Sequence, residues 1–229
     1  MTRHETTVAR MKQGDIDLCF VGDSITEWWE GPRASKVWLA NFTGWKAVNF
    51  GMGGDCTQHV LWRLQNGGFE IAKPRAVVLM IGTNNTDVDS PAKYTVEEVA
   101  AGIAAIVGEI RKRSLQTKVL LMAILPRSAS ADAPIRKKIR DINALIAKLD
   151  DGNVVRYSDI SDKCLNEDGA LNQELFWDEV HINDNGYQVW ADTVRPTLID
   201  WLGPPAAEGK EQDNPATVMR SQLSGGHHV

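Results

Sequence analysis

A three-layer α/β/α sandwich around a five-stranded parallel sheet is the fold this sequence predicts, and three observations predict it. Five short apolar runs, mostly β-branched or aliphatic, suit strands buried on both faces. Stretches with helical spacing lie between them, and strands that alternate with helices wind into one sheet through right-handed crossovers. A length of 229 residues holds one domain with a sizeable core and is too short for two comfortable ones.

In chain order, the predicted strands are Leu18 to Val21, Ala47 to Phe50, Ala76 to Ile81, Val119 to Leu125 and Val154 to Tyr157. A short helix is expected over Thr57 to Leu64. The clearest helical pattern runs from Val96 to Arg113, with Val99, Ile103, Ile106, Val107 and Ile110 on one side. Pro134 to Leu149 repeats it through Ile135, Ile139, Ile142, Leu145, Ile146 and Leu149. The last helix, about Asp184 to Trp201, turns Tyr187, Trp190, Val194, Leu198 and Trp201 toward the core. This organisation gives a catalytic domain over 1–202. From Gly203 to the end the chain is rich in Gly, Pro, Glu, Gln and Ser without apolar periodicity, so 203–229 is read as a flexible tail. His227 and His228 within it are read as incidental rather than metal-binding.

Charge narrows the function. Thirty acidic against 25 basic residues give a net charge of −5 with no long run of either sign, which leaves no electrostatic footprint for nucleic acid or an anionic membrane. Cys19, Cys56 and Cys164 have neither metal-like nor paired spacing and read as small buried side chains of a reducing compartment. No apolar stretch approaches the roughly 18 residues of a membrane span, and Met1 to Gly14 lacks a signal peptide's apolar run. The chain is therefore expected to be soluble and, by default, cytoplasmic. Because the first strand starts almost at once, a removed leader would make it exported, and localisation stays open.

In a sheet of this kind functional groups gather beyond the carboxyl ends of the strands, where four segments fall. Gly22-Asp23-Ser24-Ile25-Thr26 follows the first strand; the glycine lets the chain leave the sheet sharply and present Ser24 at a helix amino end, as a nucleophile or simply as a cap. Asn49 to Asp55 follows the second, with Gly51, Gly53 and Gly54 allowing close backbone approach to a ligand. A dinucleotide fingerprint from Gly51 would need glycine where Cys56 stands, and no phosphate-loop lysine follows. Ile81-Gly82-Thr83-Asn84-Asn85 ends the third strand; either asparagine is a turn former, or one aims a neutral donor at a developing anion. Phe176 to Asn183 places Asp178 three residues ahead of His181. There the carboxylate can fix the imidazole tautomer that leaves Nε2 free for a serine proton, although a lone Asp-His pair is also a common structural bond.

In this order the four segments resemble the blocks of the GDSL/SGNH hydrolase superfamily, over most of residues 16–202. Within it, NFGMGGDCTQHVLWRL (Asn49 to Leu64), Gly82 to Asn85 and Ile124-Leu125-Pro126-Arg127 are similar to the platelet-activating-factor acetylhydrolase catalytic subunits and their bacterial relatives. Ile25 stands in place of the leucine of the four-letter name. The resemblance implies a flavodoxin-like fold and a serine esterase acting through an acyl-enzyme, with Ser24 the nucleophile, His181 the base and Asp178 its orienting acid. It also implies an oxyanion hole from the amides of Ser24 and Gly54 and the Asn84 side chain, no cofactor and no metal, and a short acyl group such as acetyl. The expected partner is a small ester of a sugar, lipid or aryl alcohol, with no nucleic acid and no membrane span, and a homodimer is left open. An acyltransferase to a sugar or lipid alcohol, or a noncatalytic scaffold of the same fold, are the alternatives. The broader α/β-hydrolase fold is rejected, because its Gly-x-Ser-x-Gly elbow would need glycine where Thr26 stands.

Around these segments, Asp23 is read chiefly as a buried turn-holding group and secondarily, with Trp177, as lining the substrate pocket. Trp28, Trp29 and Trp62 are further candidates for its walls. His59 is assigned a packing or hydrogen-bonding role.

Overall fold

The computed structural model describes residues 2–32, 34–87 and 93–206. Strands β1 (Leu18–Gly22), β2 (Val48–Gly51), β3 (Ala76–Met80), β4 (Lys118–Met122) and β5 (Val155–Ser158) pair in parallel in the order β2-β1-β3-β4-β5. Neighbouring side chains of a strand point to opposite faces, so a strand covered on both has to be apolar throughout. Strands β1 and β3 are buried at every position. This order is flavodoxin-like: the chain starts inside the sheet, adds one edge, then returns past its start to build the other. The reversal opens a crevice beyond the ends of β1, β2 and β3, where Gly22 lies in register with Gly51 and Met80.

Alternate strand residues feed two cores. Leu18, Phe20, Val78, Leu120 and Met122 pack under helices α3 (Ser35–Phe42) and α8 (Asp184–Leu202). Cys19, Val21, Val77, Leu79, Val119 and Leu121 pack under α4 (Thr57–Asn66), α6 (Val96–Arg113) and α7 (Pro134–Ile146). The short helices α1 (Arg3–Lys12) and α5 (Phe69–Ala72) add Met11, Phe69 and Ala72 to that second core. Helix α2 (Ser24–Glu27) sits in the crevice itself. No helix among the described residues is long and apolar enough to cross a membrane.

Local chemistry sets the helix ends. At α6, Thr95 and Glu98 form a reciprocal capping box at 3.1 and 2.7 Å, and Arg111, Lys112 and Arg113 at the other end complement the helix dipole. A second capping box, Thr2 with Glu5, starts α1, an element the apolar pattern did not indicate because its only buried apolar side chain is Met11. The expected fourth strand, Val119 to Leu125, is shorter in the sheet. Beyond Met122 the carboxamide of Asn143 takes both the Ile124 amide and carbonyl at 2.9 Å, replacing a neighbouring strand. At the other end of the chain, Gly203 accepts from Trp45 Nε1 at 2.9 Å and Ala206 donates to Gly44 at 3.0 Å. Residues 207–229, with His227 and His228, lie outside the described residues.

Candidate active site

The site begins where β1 stops. At Gly22 the chain turns so tightly that a Cβ would collide with Thr26 Oγ1 and the Met80 carbonyl, so only glycine serves. Asp23 then caps α2, its carboxylate accepting from the Ile25 amide at 3.0 Å. Ser24 is the first residue of that helix, where backbone amides have no intrahelical acceptor. Its Oγ lies 3.1 Å from His181 Nε2.

His181 comes from the turn before α8, which is organised by its own side chains. Asp178 Oδ1 accepts from the Val180 and His181 amides at 2.7 Å each, and its Oδ2 lies 2.8 Å from His181 Nδ1. Partial burial raises the Asp178 carboxyl, but those hydrogen bonds from His181 and Val180 outweigh it and hold the group below its ordinary range. The carboxylate is therefore ionised at neutral pH and accepts a hydrogen bond from Nδ1–H, which leaves the Nε2 lone pair toward Ser24. Asn183 caps α8 through the Asn185 and Gly186 amides at 3.0 and 3.2 Å and so anchors the turn. A hydroxyl facing such an imidazole can lose its proton as it attacks an electrophile.

Two loops close the crevice around Ser24. Gly54 is exposed at φ +79°, with open space where a Cβ would stand, and a side chain at neighbouring Gly53 would meet Ser24 Cβ at 3.8 Å. Asn84 is half-buried and donates from Nδ2 to the Asp55 carbonyl at 2.8 Å, which ties the β3 loop to the β2 loop. Asn85 is buried and accepts from the Thr57 amide at 2.9 Å. His59 Nδ1 accepts from the Cys56 amide at 3.0 Å, a capping role at the start of α4.

Several residues act differently from expectation or were not singled out by the sequence. Asp23 is 1 % exposed, so its assignment to the pocket lining is corrected: the carboxyl lies beside Ser24 in the buried turn, where burial pushes it up to about 7 against the pull of the Ile25 amide. Trp29 is fully buried among Phe20, Trp38, Phe42 and Trp190 and belongs to the core, not to a pocket wall. Trp62 is exposed beside His4 on α4, and Trp177 is exposed next to Asp178 with its amide on the His181 carbonyl at 2.7 Å. Trp28 stacks on the His181 ring, centroids 4.3 Å apart.

Arg63 was overlooked, and it holds the floor of the site together. Its buried guanidinium pairs with Asp55 at 2.7 Å and donates to the carbonyls of Phe50 at 2.8 Å and Gly22 at 3.3 Å. Asn49 likewise reaches the Thr26 and Glu27 carbonyls at 2.9 and 3.0 Å, and Glu27 accepts from the Gly53 amide. An available signal was the position of Arg63 on the apolar side of α4 with Val60 and Leu64, where a charge needs a partner.

Among the described residues no group of three His, Cys, Asp or Glu side chains is placed to hold a metal. Burial pushes the Cys19 and Cys164 thiols up to about 12, which leaves both unreactive.

Comparison with known proteins identifies the family and the fold. Residues 20–189 match the GDSL-like Lipase/Acylhydrolase family. Platelet-activating factor acetylhydrolase IB subunit alpha2 of Rattus norvegicus is 37 % identical over 188 residues, 82 % of this chain and 78 % of that protein. A GDSL-like lipase of Bacteroides thetaiotaomicron superposes with a TM-score of 0.71 at 20 % identity, over 87 % of this chain and 98 % of its own. An acetylxylan esterase of Geobacillus stearothermophilus shares the fold with a TM-score of 0.62 at 18 % identity, over 86 % and 98 %. The chain belongs to the GDSL-like lipase/acylhydrolase family and is a carboxylic ester hydrolase.

Proposed function

We propose that this esterase cleaves short-chain esters, acetyl esters foremost, through an acyl-enzyme on Ser24. The observation that carries the reading is the unbroken contact from Ser24 Oγ to His181 Nε2 at 3.1 Å and from His181 Nδ1 to Asp178 at 2.8 Å. Ser24 Oγ bonds to the ester carbonyl carbon while its proton passes to Nε2. Negative charge collects on the former carbonyl oxygen, within reach of the Ser24 and Gly54 amides and the Asn84 carboxamide. As the intermediate collapses, the C–O bond to the alcohol breaks and the alkoxide leaves with the proton held by His181. Water then gives its proton to Nε2 and attacks the acyl-enzyme, and the acid departs as that proton returns to Ser24 Oγ. Asp178 stays ionised and steadies the imidazolium formed in each half.

The acetyl preference is supported by relatives named for acetyl ester cleavage, an acetylhydrolase subunit and an acetylxylan esterase. The assignment is tested by p-nitrophenyl esters of increasing chain length with wild type and Ser24→Ala. Expected is a fall in kcat on the order of 10^3 to 10^6 for the variant and highest kcat/KM on acetate or butyrate. Full activity in Ser24→Ala overturns the nucleophile, and a preference for long chains overturns the short-acyl reading.

A further inference from the structure

We infer that Trp28 is a positioning residue for His181, holding the imidazole flat while the ring takes up and returns the serine proton. The inference rests on the reading of Ser24 as nucleophile. Trp28 follows Ser24 by four residues, where α2 passes into the single turn Trp28–Glu30, and positions four apart share one side of a helix. His181 therefore meets two groups from one element: Oγ of Ser24 at the ring edge, 3.1 Å away, and the indole of Trp28 over the ring face.

The face contact supplies what the hydrogen bonds lack. Ser24 and Asp178 hold the imidazole at Nε2 and Nδ1, on opposite sides of the ring. Those two bonds and the Cβ–Cγ bond set the direction of the ring but put nothing against its faces, so a small roll about the line joining the nitrogens meets little resistance from them. The indole lies nearly parallel to the imidazole, at 23° and 4.3 Å between centroids, and blocks that roll. Around it the turn offers little else, since Asp178 and Glu179 are exposed. The stack also favours the reaction itself. Proton uptake turns the ring into a cation, and a cation over an indole face is attracted by the ring quadrupole more than the neutral ring is. The interaction thus strengthens as the transition state is approached, which is the condition for it to raise turnover rather than substrate binding.

The test compares Trp28→Leu, Trp28→Phe and Ser24→Ala with wild type on p-nitrophenyl acetate. The expected result for Trp28→Leu is a fall in kcat of about threefold to thirtyfold with KM within about twofold, recovered in large part by Trp28→Phe. Proton NMR supplies a reading independent of turnover. The downfield signal of the proton shared by His181 and Asp178 stays sharp in wild type and Trp28→Phe and broadens in Trp28→Leu. Unchanged kcat in Trp28→Leu, or a rise in KM alone, overturns the inference, the latter because Trp28 would then be a substrate platform. Should Trp28→Leu fail to fold, Trp28→Met is read in the same way. If Ser24→Ala retains activity, the nucleophile assignment has failed; if it is dead while Trp28→Leu is normal, only the role of Trp28 has.

Discussion

Ser24 stands on a floor of buried polar groups tied to one another across three strand ends, whereas His181 and Asp178 hang on an exposed turn that supplies most of its own bonds. On the Ser24 side Asp23, Asn49, Asp55, Arg63 and Asn85 are all buried. Arg63 joins the ends of β1 and β2 to the loop that carries Gly54. On the His181 side Asp178 and Glu179 are exposed, and the turn meets the rest of the molecule through the Ser24 and Trp28 contacts of His181 and through Ser128, whose amide meets the Glu179 carbonyl at 3.0 Å. The proposed mechanism gives the two halves different tasks. Donors for a developing oxyanion work best when fixed before the reaction, because they then need no reorganisation as charge appears. A base that accepts a proton and gives it away twice per cycle gains from partial exposure. Damage to the Ser24 side should therefore cost stability and turnover together, and damage to the His181 side mainly turnover.

The largest expected effect breaks the buried floor. Arg63→Met leaves Asp55 buried without its partner, which should destabilise the protein by about 3–5 kcal/mol in urea unfolding and lower kcat as the Gly54 loop loosens. Full stability with normal turnover would remove the contrast between the two halves. Next in size is Asn84→Ala, for which kcat should fall about 10^2- to 10^3-fold with a much smaller change in stability. A variant that loses its melting temperature but keeps its kcat would make Asn84 a loop tie and nothing more.

A further effect, read as a slope with pH, concerns Asp23, whose carboxyl burial raises to about 7. An unfolded aspartate titrates near pH 4. Between about pH 4 and 7 the folded protein thus binds more protons than the unfolded chain, and stability should fall as pH rises through that window. Asparagine keeps the cap on Ile25 and does not titrate, so Asp23→Asn should flatten the fall in Tm, by about 2–4 °C for each kcal/mol involved. Equal slopes in both proteins would place Asp23 in a wetter setting.

How much of this was legible in the sequence follows the same divide. Gly22, Asp23 and Ser24 act within one tight turn, and Asp178 and His181 within another, so short motifs carried them. The helical spacing of Ile139, Ile142 and Ile146 marked α7 equally well, and all three are buried. The buried floor was not legible, because its bonds join residues far apart in the chain, 41 positions from Arg63 to Gly22 and 26 from Gly53 to Glu27. Local pattern also fails to tell adjacent tryptophans apart. Trp29 is fully buried and Trp28 faces the imidazole, a difference set by how the turn after α2 meets α8.

Whether Ser24 is the nucleophile is decided by reacting the protein with a fluorophosphonate and mapping the adduct by mass spectrometry. A single stoichiometric adduct on the peptide containing Ser24 is expected, absent in Ser24→Ala and slow to form in His181→Ala. An adduct on another residue, or ester hydrolysis that continues undiminished while Ser24 is fully blocked, would contradict it.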